Sequence, residues 1–155
     1  MLKRGSKLKS GLLLPAVAVL TACSGIPLKE RDAEQRDRYH QYAGDPVDHI
    51  TYLGRYDGWT AIGKHELVVF TNINDAYLIT VQPPCEDLMF ANSIGLTETA
   101  HTVYQKFDFV KVRGWRCMIK SIQPVNYRQM KRDMRQKTAD AKAATEAAQQ
   151  EQQKQ

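Results

Sequence analysis

The chain predicts a mainly β fold, a small antiparallel sheet or barrel-like domain. A short N-terminal helix and a C-terminal helical or disordered tail flank it. Three observations carry this expectation. From Val47 onward, short β-branched and aromatic runs are punctuated by turn residues, the pattern of antiparallel strands. Upstream, Lys29 to Tyr42 is dense in charge, with Arg31, Glu34, Arg38 and Tyr42 at helical spacing. Downstream, Tyr127 to Gln155 is rich in Ala, Gln, Lys, Arg and Glu and lacks Gly and Pro, which favours a helix.

The elements follow in order. The first helix ends at the Gly44-Asp45-Pro46 turn. Strands are expected near Ile50 to Arg55, Trp59 to Ile62, Glu66 to Thr71 and Ala76 to Val81. Two more are expected at Thr102 to Val112 and Arg116 to Gln123. Asn72-Ile73-Asn74-Asp75 is a hairpin connection, and Arg113-Gly114 turns the fifth strand into the sixth. Pro83-Pro84 stops the fourth strand before Cys85. Between Glu86 and Leu96 a helical turn could place Leu88, Met89 and Ile94 inward. Beyond Met134 no large apolar residue remains to form a buried stripe, so the tail is expected to be solvated.

The first 22 residues have a different logic. Lys3, Arg4, Lys7 and Lys9 precede an apolar run from Gly11 to Leu20, the layout of a secretory signal. The run is too short to span a bilayer, which needs ~20 apolar residues, and Pro15 interrupts it. Leu20-Thr21-Ala22-Cys23 resembles the lipobox of bacterial lipoproteins. The resemblance implies cleavage before Cys23, acylation of Cys23, and a mature protein held on a membrane. The organisation is then a signal over 1–22, a tether over 23–28, a β-rich domain over 29–126 and a charged tail over 127–155.

Removing the signal changes the charge argument. The precursor carries 22 Lys and Arg against 17 Asp and Glu. Four of those cations and no acid lie in the signal, which leaves the mature chain at +1. Tyr127 to Gln155 holds seven cations and four acids, so 23–126 sits at −2. That segment has no excess of cations to neutralise a phosphate backbone, and nucleic acid is not an expected partner. With Cys23 lipidated, Cys85 and Cys117 remain as an even pair in an exported protein, where disulfides persist. A metal pair or a catalytic thiol are the alternatives, but no CxxC spacing accompanies either cysteine.

The search for chemistry is mostly negative. GxSxG, HExxH, GxxxxGK[ST] and GxGxxG are absent from the mature chain. His40, His49, His65 and His101 are scattered. His49 beside Asp48, and His65 beside Glu66, point to opposite faces of a strand and are not preassembled pairs. Asp45, Asp48 and Asp57 fit no EF-hand loop. No catalytic residue, metal or cofactor is implied. The remaining candidates for ligand contact are aromatic: Tyr56, near Tyr52 and Trp59, and Trp115 at the tip of the last hairpin. Trp59 is expected in the core. In Phe107-Asp108-Phe109-Val110, alternation puts the phenylalanines on one packing face and Asp108 on the other.

One wider resemblance adds to these readings. Arg38-Tyr39-x-x-Tyr42-Ala43-Gly44-x-Pro46-Val47, Trp59 and Leu67-Val68-Val69-Phe70 lead into Ala76-Tyr77-Leu78-Ile79 and Cys85-x-Asp87-Leu88. Ile94-x-Leu96-Thr97, Phe107-Asp108-x-Val110 and Cys117-x-Ile119-x-x-Ile122-x-Pro124 complete the set. Over Arg38 to Asn126 the chain resembles a family of small exported proteobacterial proteins of unknown function. That resemblance implies the compartment, the size and a Cys85–Cys117 pair, and no activity. The functional expectation is a lipid-anchored cell-envelope lipoprotein serving as a non-enzymatic binding or structural module. Its expected partners are the membrane, through the lipid, and an envelope protein or cell-wall polymer. Ser24 after the lipidated cysteine favours the periplasmic face of the outer membrane. An envelope hydrolase assembled only in the fold, or a small-ligand carrier with an internal cavity, are the competing expectations.

Overall fold

The computed structural model describes residues 28–51 and 55–153. The signal, Cys23, the tether up to residue 27 and Tyr52 lie outside the described residues.

Helix α1 (Leu28–Gln41) is followed by β1 (His49–Thr51), β2 (Gly58–Gly63), β3 (Glu66–Phe70) and β4 (Ala76–Val81). A single 3-10 turn (Leu88–Phe90) precedes β5 (Gly95–Leu96), β6 (Thr102–Tyr104), β7 (Phe109–Val112) and β8 (Trp115–Val125). Helix α2 (Tyr127–Gln153) closes the described chain. The fold is mainly antiparallel β with a helix at each end. Six strands form one sheet in the order β2-β3-β4-β8-β7-β5, and β1 pairs with β6 in a second, two-stranded sheet.

Both local turn signals hold. Asn72 Oδ1 accepts the backbone N–H groups of Asn74 and Asp75 at 2.8 and 2.9 Å, which closes the β3–β4 hairpin as an Asx turn. Arg113 and Gly114 both adopt positive φ, 47° and 90°, the combination a two-residue hairpin between right-twisted strands requires.

The central strands are covered on both faces. On one face Tyr39 of α1 and Met130 of α2 pack with Ile62, Val68, Ala76, Leu78 and Val125. On the other, Leu67, Val69, Ile79, Val81, Val110, Val112, Ile119 and Ile122 pack against Ile50, Val103, Leu88, Ile94 and the two cysteines. This double burial is why β3 and β4 read as continuous apolar runs. A bulge keeps β8 in phase with both layers. Ser121 pairs with Thr80 and Ile119 with Val81, so Lys120 is the extra residue and side-chain alternation shifts by one. Cys117 and Ile119 before it, and Ile122 after it, therefore reach the same core.

Three expectations are corrected. The single strand over Thr102 to Val112 is two strands in two sheets. Lys106 at φ 65° turns the chain between them, and β6 pairs with β1 while β7 pairs with β8. The expected Phe107–Phe109 packing face is inverted. Phe107 is 78% exposed and Asp108 only 9%, because Asp108 accepts hydrogen bonds that hold the strand break. Met89 is 39% exposed rather than inward. One 3-10 turn sends three successive side chains in different directions, and Leu88 takes the core position. The C-terminal segment is helical, and from Arg135 to Gln153 it is exposed, as expected beyond Met134; only its start is seated. The ring of Tyr127 packs 5.1 Å from that of Phe70, and Tyr42 donates to Asp133 Oδ2 at 2.6 Å, so the first turns of α2 dock on α1 and the sheet.

Candidate functional site

The site is built around a loop that the core holds rigidly. After β4 the chain runs through Pro83-Pro84 to Cys85, which forms a disulfide with Cys117 of β8. Cys85 and Leu88 are both buried. The residues between and after them cannot all follow, and Met89 and Phe90 are left projecting, Phe90 at 74% exposure. An open groove of about 500 Å³ runs along this loop, lined by Lys64, His65, Pro83, Glu86, Met89 and Phe90 among others. A second depression of about 420 Å³ shares Lys64, His65 and Pro83 and continues to Arg36, Thr80 and Lys120.

His65 sits where the two meet. Its backbone carbonyl accepts the Val81 N–H at 2.9 Å, which fixes the strand edge. Its ring Nδ1 is buried without a hydrogen-bond partner. Glu66, the next residue and the first of β3, also lines the second depression. Its carboxylate receives Arg36 Nε from α1, and His40 Nε2 lies 3.3 Å away. The histidine–carboxylate pairing in this fold is thus His40 with Glu66, brought together across 26 residues. Sequence adjacency gave no signal for it.

Burial pushes the Glu66 carboxyl up, but the hydrogen bonds and charges of Arg36 and His40 outweigh it and hold it below its ordinary value. A carboxyl with a depressed folded value stabilises fully above the unfolded range, near pH ~4.3. That contribution is lost as pH falls through the folded value. The melting-temperature gap between the wild type and Glu66→Gln should therefore shrink as pH drops from about 6 to about 3. A gap constant across that range would show that Glu66 is not the linked group.

The other candidates are placed as follows. Tyr56 is half-buried, packs against the core, and donates its hydroxyl to the Ile94 carbonyl. Its role there is to pin the segment before β5. Trp59 is half-buried against the same core. Trp115 stands at the β7–β8 turn with 49% exposure, away from the groove-lining residues. His49 stacks on Tyr104 with ring centroids 5.3 Å apart, while Asp48 accepts from Gln105. The structure brings none of these into the groove. The residues that line it most prominently, Met89 and Phe90, carried no functional signal in the sequence. Among the described residues no group of three or more His, Cys, Asp or Glu is placed to hold a metal ion. Among the same residues, no helix is long and apolar enough to cross a membrane.

A family model described as a family of unknown function (DUF6491) matches residues 6–154. The chain belongs to that family. The DUF6491 match extends beyond the Arg38 to Asn126 stretch of the resemblance. It takes in the whole of α1 and nearly all of the C-terminal segment. No curated protein and no solved structure matches the chain.

Proposed function

We propose that this DUF6491 protein is a cell-envelope lipoprotein, acylated at Cys23, whose folded domain is a non-enzymatic module that docks a protein partner. The anchor reading rests on the basic and apolar segments that end in Leu20-Thr21-Ala22-Cys23. Ser24 favours placement on the periplasmic face of the outer membrane. The docking reading rests on one observation above all, the projection of Met89 and Phe90 from a loop pinned by Cys85 and Leu88. A large apolar side chain held in solvent beside a groove is the form of a protein-binding anchor. Because the loop is already ordered, little conformational entropy is lost on binding. An anchor would also raise the effective concentration of the domain toward envelope partners.

The competing readings find less support. A carrier needs an internal cavity, and the space between the sheets is filled by Leu67, Val69, Ile79, Val110 and Ile119, all fully buried. For a hydrolase, the assembled histidine–carboxylate pair is already engaged with Arg36.

Two measurements test the two halves separately. Metabolic labelling with a fatty-acid analogue should mark the wild type and not Cys23→Ser; equal labelling would end the lipoprotein reading. Crosslinking in intact envelopes should recover one defined protein adduct, reduced at least ~10-fold by Phe90→Asp, since one apolar anchor contributes ~2 kcal/mol or more. An adduct unaffected by that change would remove the groove from the binding site.

A further inference from the structure

The helices cover only half of their face of the sheet. Tyr39 and Met130 pack over β2, β3, β4 and the Val125 end of β8. The same face of β7 and of the first half of β8 is open. Val110, Val112, Cys117 and Ile119 point into the opposite core. Strand alternation therefore turns Phe109 and Lys111 on β7, and Arg116, Met118 and Lys120 on β8, outward together. Lys111, Arg116 and Lys120 are exposed, while Phe109 and Met118 are half-buried. Phe107, in the turn that leads into β7, is exposed as well.

The charges on this face repel one another. Lys111 and Arg116 are direct cross-strand partners, and like charges in that position destabilise a sheet. Arg116 lies 4.4 Å above the Phe109 ring, which holds the guanidinium over the sheet surface. Lys120 is thrown outward by the bulge in β8. Among the described residues, none of the three cations makes an ion pair. An anionic surface would relieve the repulsion and complete the pattern.

We propose that this open half-sheet binds the phosphate headgroups of an anionic phospholipid bilayer. Three exposed cations on adjacent strands, with the exposed Phe107 in the turn before β7, suit an array of anionic headgroups. The cations meet phosphates, and the aromatic ring enters the boundary between headgroups and acyl chains. The surface goes beyond an acyl anchor and does not depend on one. It would set the orientation of the domain on the membrane.

The test uses the mature chain from residue 23 onward carrying Cys23→Ser, so that neither acylation nor the basic, apolar signal segment can contribute. Vesicles of phosphatidylglycerol mixed with phosphatidylcholine are compared with vesicles of phosphatidylcholine alone. Binding should require the anionic lipid and weaken as salt is raised. The triple variant Lys111→Gln, Arg116→Gln, Lys120→Gln should lose on the order of 100-fold in partitioning. Its melting temperature should change by only a few degrees, because the positions are exposed and loss of the Arg116–Phe109 contact is offset by removal of one repulsive pair. Phe107→Ser, which leaves the charges intact, should lower partitioning and leave its salt dependence unchanged. Equal binding of the triple variant, equal binding to neutral vesicles, or no binding of the parent chain would each overturn the proposal. Tighter binding to polyglutamate or to single-stranded DNA than to the anionic vesicles would overturn it in favour of a soluble polyanion.

Discussion

Replacing both Cys85 and Cys117 with Ala is expected to lower the melting temperature by about 10–20 °C. The bond joins residues 32 positions apart, and closing a loop of that length stabilises by about 3–4 kcal/mol on the chain-entropy account. A domain of this size is stabilised by only ~5–15 kcal/mol in total, and each kcal/mol shifts the midpoint by about 3–6 °C. The two sulfurs are also packed in the core beside Leu88 and Ile119, so the alanines leave unfilled volume. The effect should be local as well as global. Without the bond, the loop carrying Met89 and Phe90 is held mainly by Leu88. Limited proteolysis should then cut between Gln82 and Ala91 before it cuts the strands. Chemical reduction of the wild type should reproduce both results. A shift under about 3 °C would show that packing alone holds the loop.

Asp108→Ala is expected to destabilise by about 2–5 kcal/mol, the largest single-residue effect outside the apolar core. Its Oδ1 accepts from the Thr97 hydroxyl at 2.6 Å, and its Oδ2 accepts from the Tyr104 N–H at 2.8 Å. Thr97 Oγ1 in turn accepts from the Phe109 N–H at 2.8 Å. The Asp108 backbone adds bonds to the Tyr104 carbonyl and the Ile119 N–H. One residue thereby joins the segment after β5 to the ends of β6 and β7 and to β8, at the point where the chain passes from the small sheet to the large one. Alanine would strand a donor on Thr97 and another on Tyr104, each costing ~1–3 kcal/mol when buried. Asp108→Asn keeps the shape but offers one acceptor oxygen for two donors, so it should lose roughly half as much. Urea unfolding measures both. An alanine variant within about 0.5 kcal/mol of wild type would mean that water replaces the carboxylate.

Much of the architecture was legible because its causes are local. The Ala76 to Val81 strand is found with its expected bounds, since a β-branched run bounded by an Asx turn and a proline pair permits little else. The two hairpin turns follow from Asn72 and from Gly114 for equally local reasons. Helix α1 lies within a residue of its expected ends because Arg31, Glu34, Arg38 and Tyr42 repeat at helical spacing. In the fold, Arg38 bonds Glu34 at 3.2 Å and Tyr42 meets α2.

The groove and the open half-sheet were not legible, and the reasons are physical. Alternation in a strand identifies two faces but not which is buried, and at Phe107-Asp108-Phe109 the choice fell against hydrophobicity. A buried carboxylate is tolerated there because donors distant in sequence satisfy it. The turn at Lys106 uses positive φ in a residue that does not advertise it. Glu66 and His40 meet only because α1 packs across β2 and β3.

By itself, then, the sequence determined the mainly antiparallel β class and the flanking helices, with most of their boundaries. These depend on periodicity, turn chemistry and intrinsic propensity, which act over a few residues. Only the tertiary structure decided which faces of the strands are covered and where the β8 bulge falls. It also decided that Met89, Phe90, Lys111, Arg116 and Lys120 stand in solvent. Those outcomes depend on how much of the sheet the two helices cover, and nothing within any single element sets that extent.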